Sequence, residues 1–194
     1  MATLHLSQDA EADKLLSDDP LALLIGMVLD QQVALEWAFI GPRTLKDRLG
    51  HLDARKIADM DPEALVHVAL QKPPIHRYPA AMARRVHELC QLIAEEYDGD
   101  AATVWSGATD GADLYKRIKA LPGFGEMKAK IFVALVGKQL GVRPSGWEAA
   151  AGEYGRKGTY MSVADIVDGP SLDKVRAYKQ EKKKAAKAAA QAPA

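Results

Sequence analysis

The stretch that decides the fold is Leu121-Pro122-Gly123-Phe124-Gly125. Apolar residues at helical spacing lead into it and out of it, so the stretch is predicted to be a short turn between two helices. Pro122 ends the first helix because it has no backbone N–H, and the two glycines permit positive φ and leave room for an approaching group. The second helix then begins with unpaired N–H groups and the positive end of its dipole facing outward.

This turn has two interpretations. A phosphate oxygen fits at such a helix start, and Lys128 and Lys130 in the first turns add positive charge. The other interpretation is a glycine-rich corner between two packed helices, with no ligand. The pattern L-P-G-x-G followed by lysines favours a nucleic-acid-binding hairpin over a bare corner.

The distribution of charge agrees with a hairpin that binds nucleic acid, although the formal net charge of the 194 residues is zero. Residues 1–113 hold 10 Lys and Arg against 19 Asp and Glu. Residues 114–145 hold 7 against 1, and residues 172–194 hold 7 against 2. The positive charge therefore lies in the hairpin region and the C-terminal tail, where a phosphate backbone would be attracted.

The segment 121–129 resembles the helix-hairpin-helix of the HhH-GPD superfamily of base-excision repair DNA glycosylases. A second segment, Gly26-Met27-Val28-Leu29-Asp30-Gln31-Gln32-Val33, resembles the "SQQ" or "LQQ" segment found early in the same superfamily. The order and separation of the two segments also fit, and the resemblance covers about residues 18–148. It implies a hairpin that binds backbone phosphate, a flipped nucleotide, and a carboxylate that stabilises the cationic sugar.

Helical spacing throughout, with no sustained strand alternation, predicts an all-α protein of about ten helices. The resemblance implies a two-lobed DNA-glycosylase-like fold. We expect a six-helix lobe at 18–141 that contains the hairpin, a small second lobe from 1–17 and 142–180, and a basic, disordered tail at 181–194. The boundaries that bear on the site are a buried helix from Pro20 to Gly41-Pro42, a hairpin helix opened by Asp113, and a last helix through Tyr178.

The residues expected to bind double-stranded DNA come from the hairpin and from the glutamine pair: Leu121, Gly123, Phe124, Gly125, Lys128, Lys130, Gln31 and Gln32. The pair is predicted to lie near the far end of the buried helix. It could be a satisfied polar pair at a surface, or it could touch bases or fill the gap left by an extruded nucleotide. His76 and Tyr78 could likewise contact a base, but such residues more often cap and pin a loop.

The chemistry departs from the pattern of the resembled family. Bifunctional members carry a nucleophilic lysine two residues past the second hairpin glycine, where this chain has Met127, so we expect no lyase activity by that route. No aspartate lies between Asp113 and Asp165, where the family's catalytic aspartate would be, and Glu148 is the carboxylate in that neighbourhood. Glu148 is either the stabilising carboxylate or an acidic residue favourably placed in the first turn of a helix.

The single cysteine, Cys90, excludes an intramolecular disulfide and a four-cysteine iron–sulfur cluster. We expect no cofactor and no metal bound by side chains, although the resemblance implies that hairpin carbonyls could hold a monovalent cation. No apolar run reaches membrane-spanning length and no signal peptide is visible, so a soluble, cytoplasmic protein without membrane contact is expected.

Three functions are compatible with the sequence. The first is a monofunctional DNA glycosylase that acts on a damaged or mismatched base. The second is a non-catalytic helix-hairpin-helix DNA-binding protein. The third is a helical protein-interaction module with no role on nucleic acid. The salt dependence of duplex binding separates the first two from the third, and glycosylase assays separate the first from the second.

Overall fold

The computed structural model describes residues 3–191, and the described residues form an all-α fold without strands. The all-α prediction is therefore confirmed. The α-helices are α1 (Ala10–Asp18), α2 (Pro20–Leu29), α3 (Leu35–Leu49), α4 (Ala54–Ala58), α5 (Pro62–Leu70), α6 (Pro79–Glu96), α7 (Thr103–Ser106), α8 (Gly111–Lys119), α9 (Glu126–Lys138), α10 (Trp147–Ala151) and α11 (Gly169–Gln191). Two 3₁₀ turns, Gly152–Gly155 and Val163–Asp165, lie between α10 and α11.

Most helices begin where the sequence places a capping aspartate. The carboxylates of Asp9, Asp19, Asp53 and Asp61 each accept hydrogen bonds from the first backbone N–H groups of the helix that follows. Pro20 and Pro62 occupy first-turn positions, where the missing N–H is not needed. The predicted start at Pro20 is confirmed, and all four starts depend on only a few consecutive residues.

The buried side chains form one continuous apolar core that includes Leu4 and Leu16 at one end of the sequence and Leu172 and Val175 near the other. Helix α2 lies inside it, and every residue from Leu21 to Leu29 is buried. Helices α4 and α5 pack on α6, whereas α8 and α10 pack on α9. The division into one lobe at 18–141 and a second lobe from 1–17 and 142–180 remains a prediction.

The predicted end of the buried helix at Gly41-Pro42 is wrong. Helix α2 already ends at Leu29, and α3 runs through Pro42 without a break. A Cβ on Gly41 would lie 2.3 Å from the Leu29 Cδ1 atom, so glycine allows α3 to pass close to the end of α2. Because this packing and the burial of Phe39 and Leu45 stabilise α3, they outweigh the roughly 3 kcal/mol that an interior proline costs.

Two further boundaries differ from the prediction. The first hairpin helix begins at Gly111, because the Asp110 carboxylate accepts the Asp113 N–H at 2.8 Å and acts as the cap. The last helix continues past Tyr178 to Gln191, into the segment predicted to be disordered. Alanine and lysine favour helix, which accounts for the extension. Residues 192–194 of that segment lie outside the described residues.

Candidate functional site

The hairpin turn joins α8 to α9 in the way that the sequence predicts. The Leu121 N–H donates to the Ile118 carbonyl and the Phe124 N–H donates to the Leu121 carbonyl, both at 3.1 Å. Gly123 has φ +85°, which L side chains rarely adopt. A Cβ there would also lie 2.8 Å from the Arg85 Cδ atom, so Gly123 serves the turn and its packing on α6.

Gly125 has a different reason for being glycine. Its φ of −76° and ψ of 176° suit any residue, which corrects the expectation of positive φ at this position. A Cβ on Gly125 would meet no atom within 4 Å, so packing within the protein does not require a glycine at this position. No side chain caps the N-terminus of α9. The start of α9 is thus open and offers N–H groups and the positive end of the helix dipole to solvent.

The other hairpin residues are held more firmly by the protein than the sequence suggests. Leu121 and Phe124 are buried, so their side chains belong to the core. The Phe124 ring packs edge-on against the Phe132 ring, with 5.7 Å between the ring centroids. Lys130 forms an ion pair with Glu126 at 2.7 Å. A contact between Leu121 or Phe124 and DNA would therefore come from the backbone.

Lys128 links the hairpin to the end of α2. Its Nζ donates a hydrogen bond to the Met27 carbonyl at 2.6 Å, where a lysine satisfies one of the last carbonyls of a helix. Burial lowers the pKa of Lys128, and the nearby Asp30 carboxylate opposes this effect. Its role as a phosphate contact remains a prediction, because the amine already has a protein partner.

The glutamine pair lies in the loop between α2 and α3, and not near the end of a long helix. The Gln31 side chain donates to the Val28 carbonyl at 2.8 Å, while the exposed Gln32 adopts a φ of +57°. The His76 Nε2 donates to the Gln31 carbonyl and the His76 Nδ1 accepts the Tyr78 N–H, both at 2.9 Å. His76 therefore pins this loop, as the second interpretation of that residue predicts.

A cavity of about 520 Å³ lies beside the hairpin, where three parts of the chain meet. The loop after α2 forms one wall, the first turns of α9 form a second, and α11 with the two 3₁₀ turns forms a third. The lining residues are Met27, Asp30, Gln31, Gln32, Val33, Met127, Lys128, Ile131, Tyr154, Met161, Ser162, Val163, Tyr178, Lys179, Lys182, Lys183 and Ala186. The volume is within the roughly 300–1,000 Å³ typical of ligand pockets.

The chemistry of this cavity is mixed. Four lysines line it, three of them on α11, and Asp30 is the only acidic residue among the described lining residues. Lys182 lies 5.7 Å from the Tyr178 ring centroid within α11, and its amine lies 4.0 Å from the Glu153 carboxylate of the first 3₁₀ turn. Met127 is 63% exposed and faces this space. Apolar side chains together with several lysines suit a flat aromatic group that carries phosphates.

Asp30 is the site residue that the sequence analysis missed. It follows α2 directly and lies between the apolar end of that helix and Gln31. Burial raises the pKa of its carboxyl above the ordinary value, while Lys179 and Lys128 act in the opposite direction. The available signal was an aspartate that directly follows an apolar helix and does not cap the next one.

Glu148 lies elsewhere. It is exposed on α10 and lines a separate depression with Gly152, Gly155, Arg156 and Lys157. Its neighbour Trp147 packs against α9, where a Cβ on Gly137 would come within 2.3 Å of the indole ring. The structure brings Gln31, Gln32, Met127 and Lys128 around one cavity, and Glu148 does not line it.

Three sequence-based expectations concern the cysteine, bound metal and the membrane. Cys90 is fully buried in α6, and burial raises the pKa of its thiol to about 12. Between residues 3 and 191 there is no group of three or more His, Cys, Asp or Glu side chains placed to hold a metal ion. No helix in the same range is long and apolar enough to cross a membrane.

Comparison with known proteins agrees with this geometry. The family model for the HhH-GPD superfamily base excision DNA repair protein matches residues 25–193, which include the glutamine loop, the hairpin and α11. No curated protein and no solved structure matches the chain. Because the family match covers most of the chain, this protein belongs to the HhH-GPD superfamily of base excision DNA repair proteins.

Proposed function

We propose that this chain is a monofunctional DNA glycosylase that releases a damaged or mismatched base from double-stranded DNA in the cytoplasm. The proposal rests mainly on the cavity that lies beside the uncapped N-terminus of α9. A hairpin that binds backbone phosphate would hold the duplex at a fixed distance from a pocket that can receive one extruded nucleotide.

The hairpin supports the first half of the proposal. Gly125 leaves the start of α9 uncovered, and no protein side chain competes for the first N–H groups as a cap. A phosphate oxygen bound there would accept hydrogen bonds from those groups without reading the base sequence. The Gly123 turn fixes the direction in which these N–H groups point.

The cavity supports the second half. Its apolar side, from Met27, Met127, Ile131 and Met161, would contact the faces of a base. The lysines of α11 would attract the flanking phosphates. Gln31 and Gln32 also line the cavity. Their side-chain amide groups would form hydrogen bonds with the extruded base or with its former pairing partner.

The monofunctional assignment follows from the residue that occupies the nucleophile position. Met127 faces the cavity and cannot form a Schiff base. Lys128 is next to it, but its amine already donates to the Met27 carbonyl. Base release followed by a stable abasic site is therefore the expected reaction, with water as the acceptor of the sugar.

No organic cofactor or iron–sulfur cluster takes part in the proposed reaction. A monovalent cation at the hairpin remains part of the proposal, because the resemblance implies one. The Ile118 and Leu121 carbonyls each accept turn hydrogen bonds. A carbonyl oxygen has two lone pairs, so the Leu121 oxygen, which accepts from Phe124, could also coordinate a cation.

The proposal is tested by incubating the purified protein with a panel of duplexes, each of which carries one lesion or mismatch. Base release should leave an intact strand that breaks only after alkaline treatment. Breakage without alkali would contradict the monofunctional assignment. An undamaged duplex of the same sequence is the matched control.

One observation favours the non-catalytic alternative, namely that Glu148 does not line the cavity. If the protein binds every duplex with a steep salt dependence but releases no base from any of them, it is a DNA-binding protein without glycosylase activity. If it binds no duplex at any salt concentration, the protein-interaction module becomes the better account.

A further inference from the structure

Among the described residues that line the cavity, the one carboxylate is in an unfavourable electrostatic position. Asp30 is the C-cap of α2, next to the negative end of the helix dipole, where an acidic side chain is unfavourable. The aspartates at helix starts, such as Asp19 and Asp53, are each stabilised by backbone N–H groups. Asp30 has no comparable structural reason to be acidic.

The Asp30 carboxylate also lacks a direct partner. Within residues 3–191 no backbone or side-chain group donates a hydrogen bond to it, and no lysine or arginine forms an ion pair with it. Its backbone N–H is used, since it donates to the Gly26 carbonyl at 3.0 Å. The side chain is half-buried, and the residue lines the cavity.

The surroundings would repel a cation if Asp30 were absent. Lys128 lies on the α9 side, and Lys179, Lys182 and Lys183 lie on the α11 side. Cleavage of an N-glycosidic bond places positive charge on the sugar. Among these lysines such a charge would be unfavourable, so a fixed anion inside the cavity would contribute more here than in a neutral pocket.

From this arrangement we propose that Asp30 is the catalytic carboxylate, which faces C1′ of the extruded nucleotide and stabilises the sugar cation. This role rests on the proposed function and assigns the chemistry to a residue other than Glu148. The C1′–N bond breaks with both electrons leaving on the base. A water oxygen then bonds to C1′, Asp30 takes a proton from that water and returns it to solvent, and the base nitrogen gains a proton from solvent.

The first experiment measures recognition of the cation without requiring base release. Two duplexes are compared, one with a protonated pyrrolidine in place of the sugar and one with the uncharged tetrahydrofuran. The unmodified protein should bind the pyrrolidine duplex at least about tenfold more tightly, as for other charge pairs at close range. Asp30→Asn should reduce this ratio to about one and leave the affinity for the tetrahydrofuran duplex unchanged.

Glu148→Gln is the matched control, because it removes one carboxylate charge of similar shape outside the cavity. It should keep the preference for pyrrolidine. The proposal is overturned if the unmodified protein shows no preference, if Asp30→Asn keeps it, or if Glu148→Gln loses it. The melting temperature of Asp30→Asn should equal or exceed that of the unmodified protein, because the carboxylate has no partner to lose.

The second experiment separates this assignment from the proposed function. On a duplex from which the unmodified protein releases a base, Asp30→Asn should slow single-turnover release by about 10²- to 10³-fold, whereas Glu148→Gln should not. Equal rates for Asp30→Asn and the unmodified protein would refute the role of Asp30 and leave the glycosylase function intact. If no base is released from any duplex but the Asp30-dependent preference for pyrrolidine persists, the glycosylase function fails and Asp30 remains the cation-binding carboxylate.

Discussion

Gly125→Val separates binding of DNA by the hairpin from the stability of the hairpin. A Cβ at Gly125 meets no atom within 4 Å, and the backbone there is extended, so valine fits without strain. Glycine is a better N-cap than an apolar residue, but replacing glycine also reduces the entropy of the unfolded chain. The two effects oppose each other, so the free energy of unfolding should change by less than about 1 kcal/mol.

The effect on DNA binding should be larger. Valine would cover the start of α9 and block a phosphate from its N–H groups. A hydrogen bond to a charged group contributes roughly 1.5–3 kcal/mol. The helix dipole adds about 0.3–1 kcal/mol. Loss of about 2 kcal/mol corresponds to a roughly 30-fold weaker Kd. Because one phosphate contact is removed, the slope of log K against log salt concentration should fall by about 0.9.

Fluorescence anisotropy with a labelled duplex, repeated over a range of salt concentrations, measures both quantities. Gly169→Val is the control, because Gly169 also lies at a helix start, is exposed, and would meet no atom with a Cβ. Gly125→Val should melt within a few degrees of the unmodified protein, whereas Gly169→Val should melt lower because Gly169 precedes Pro170 in the helix. If Gly125→Val binds as tightly as Gly169→Val, the hairpin does not hold phosphate at this helix start.

The remaining predictions concern Lys128, Lys130, His76 and Met127. Lys128→Ala should flatten the salt slope by about one unit and also lower the melting temperature, because it leaves the Met27 carbonyl without its donor; Lys130→Ala, which breaks only an exposed ion pair, should leave the melting temperature unchanged. Burial lowers the pKa of His76, whose neutral ring accepts the Tyr78 N–H, so the unfolded chain binds a proton more readily than the folded one. The stability from neutral His76 should therefore be complete above about pH 6.5 and be lost as the pH falls below that value; melting curves that show the same acid sensitivity in His76→Gln would contradict this. Met127→Lys places an amine in the cavity, so borohydride should trap this variant on abasic DNA but not the unmodified protein; trapping of both would mean that another amine reacts.

The helical class, the hairpin and several helix starts could be predicted from the sequence alone. Asp19-Pro20, Asp53, Asp61-Pro62 and the turn at Gly123 depend on hydrogen bonds and φ preferences within a few consecutive residues. Such features are local, so they could be predicted without knowing which distant segments are neighbours. The match to the family model over residues 25–193 agrees with the resemblance carried by the hairpin and the glutamine segment.

Which residues share a cavity depends on long-range packing, and the fold is needed to see it. The end of α2 was misplaced because the approach of Gly41 to Leu29 is a contact between two helices, and no local signal reports it. The same kind of contact brings Asp30 into the cavity with the lysines of α11 and turns Glu148 away from it. Burial and long-range packing assign these positions, because they depend on residues far apart in the chain.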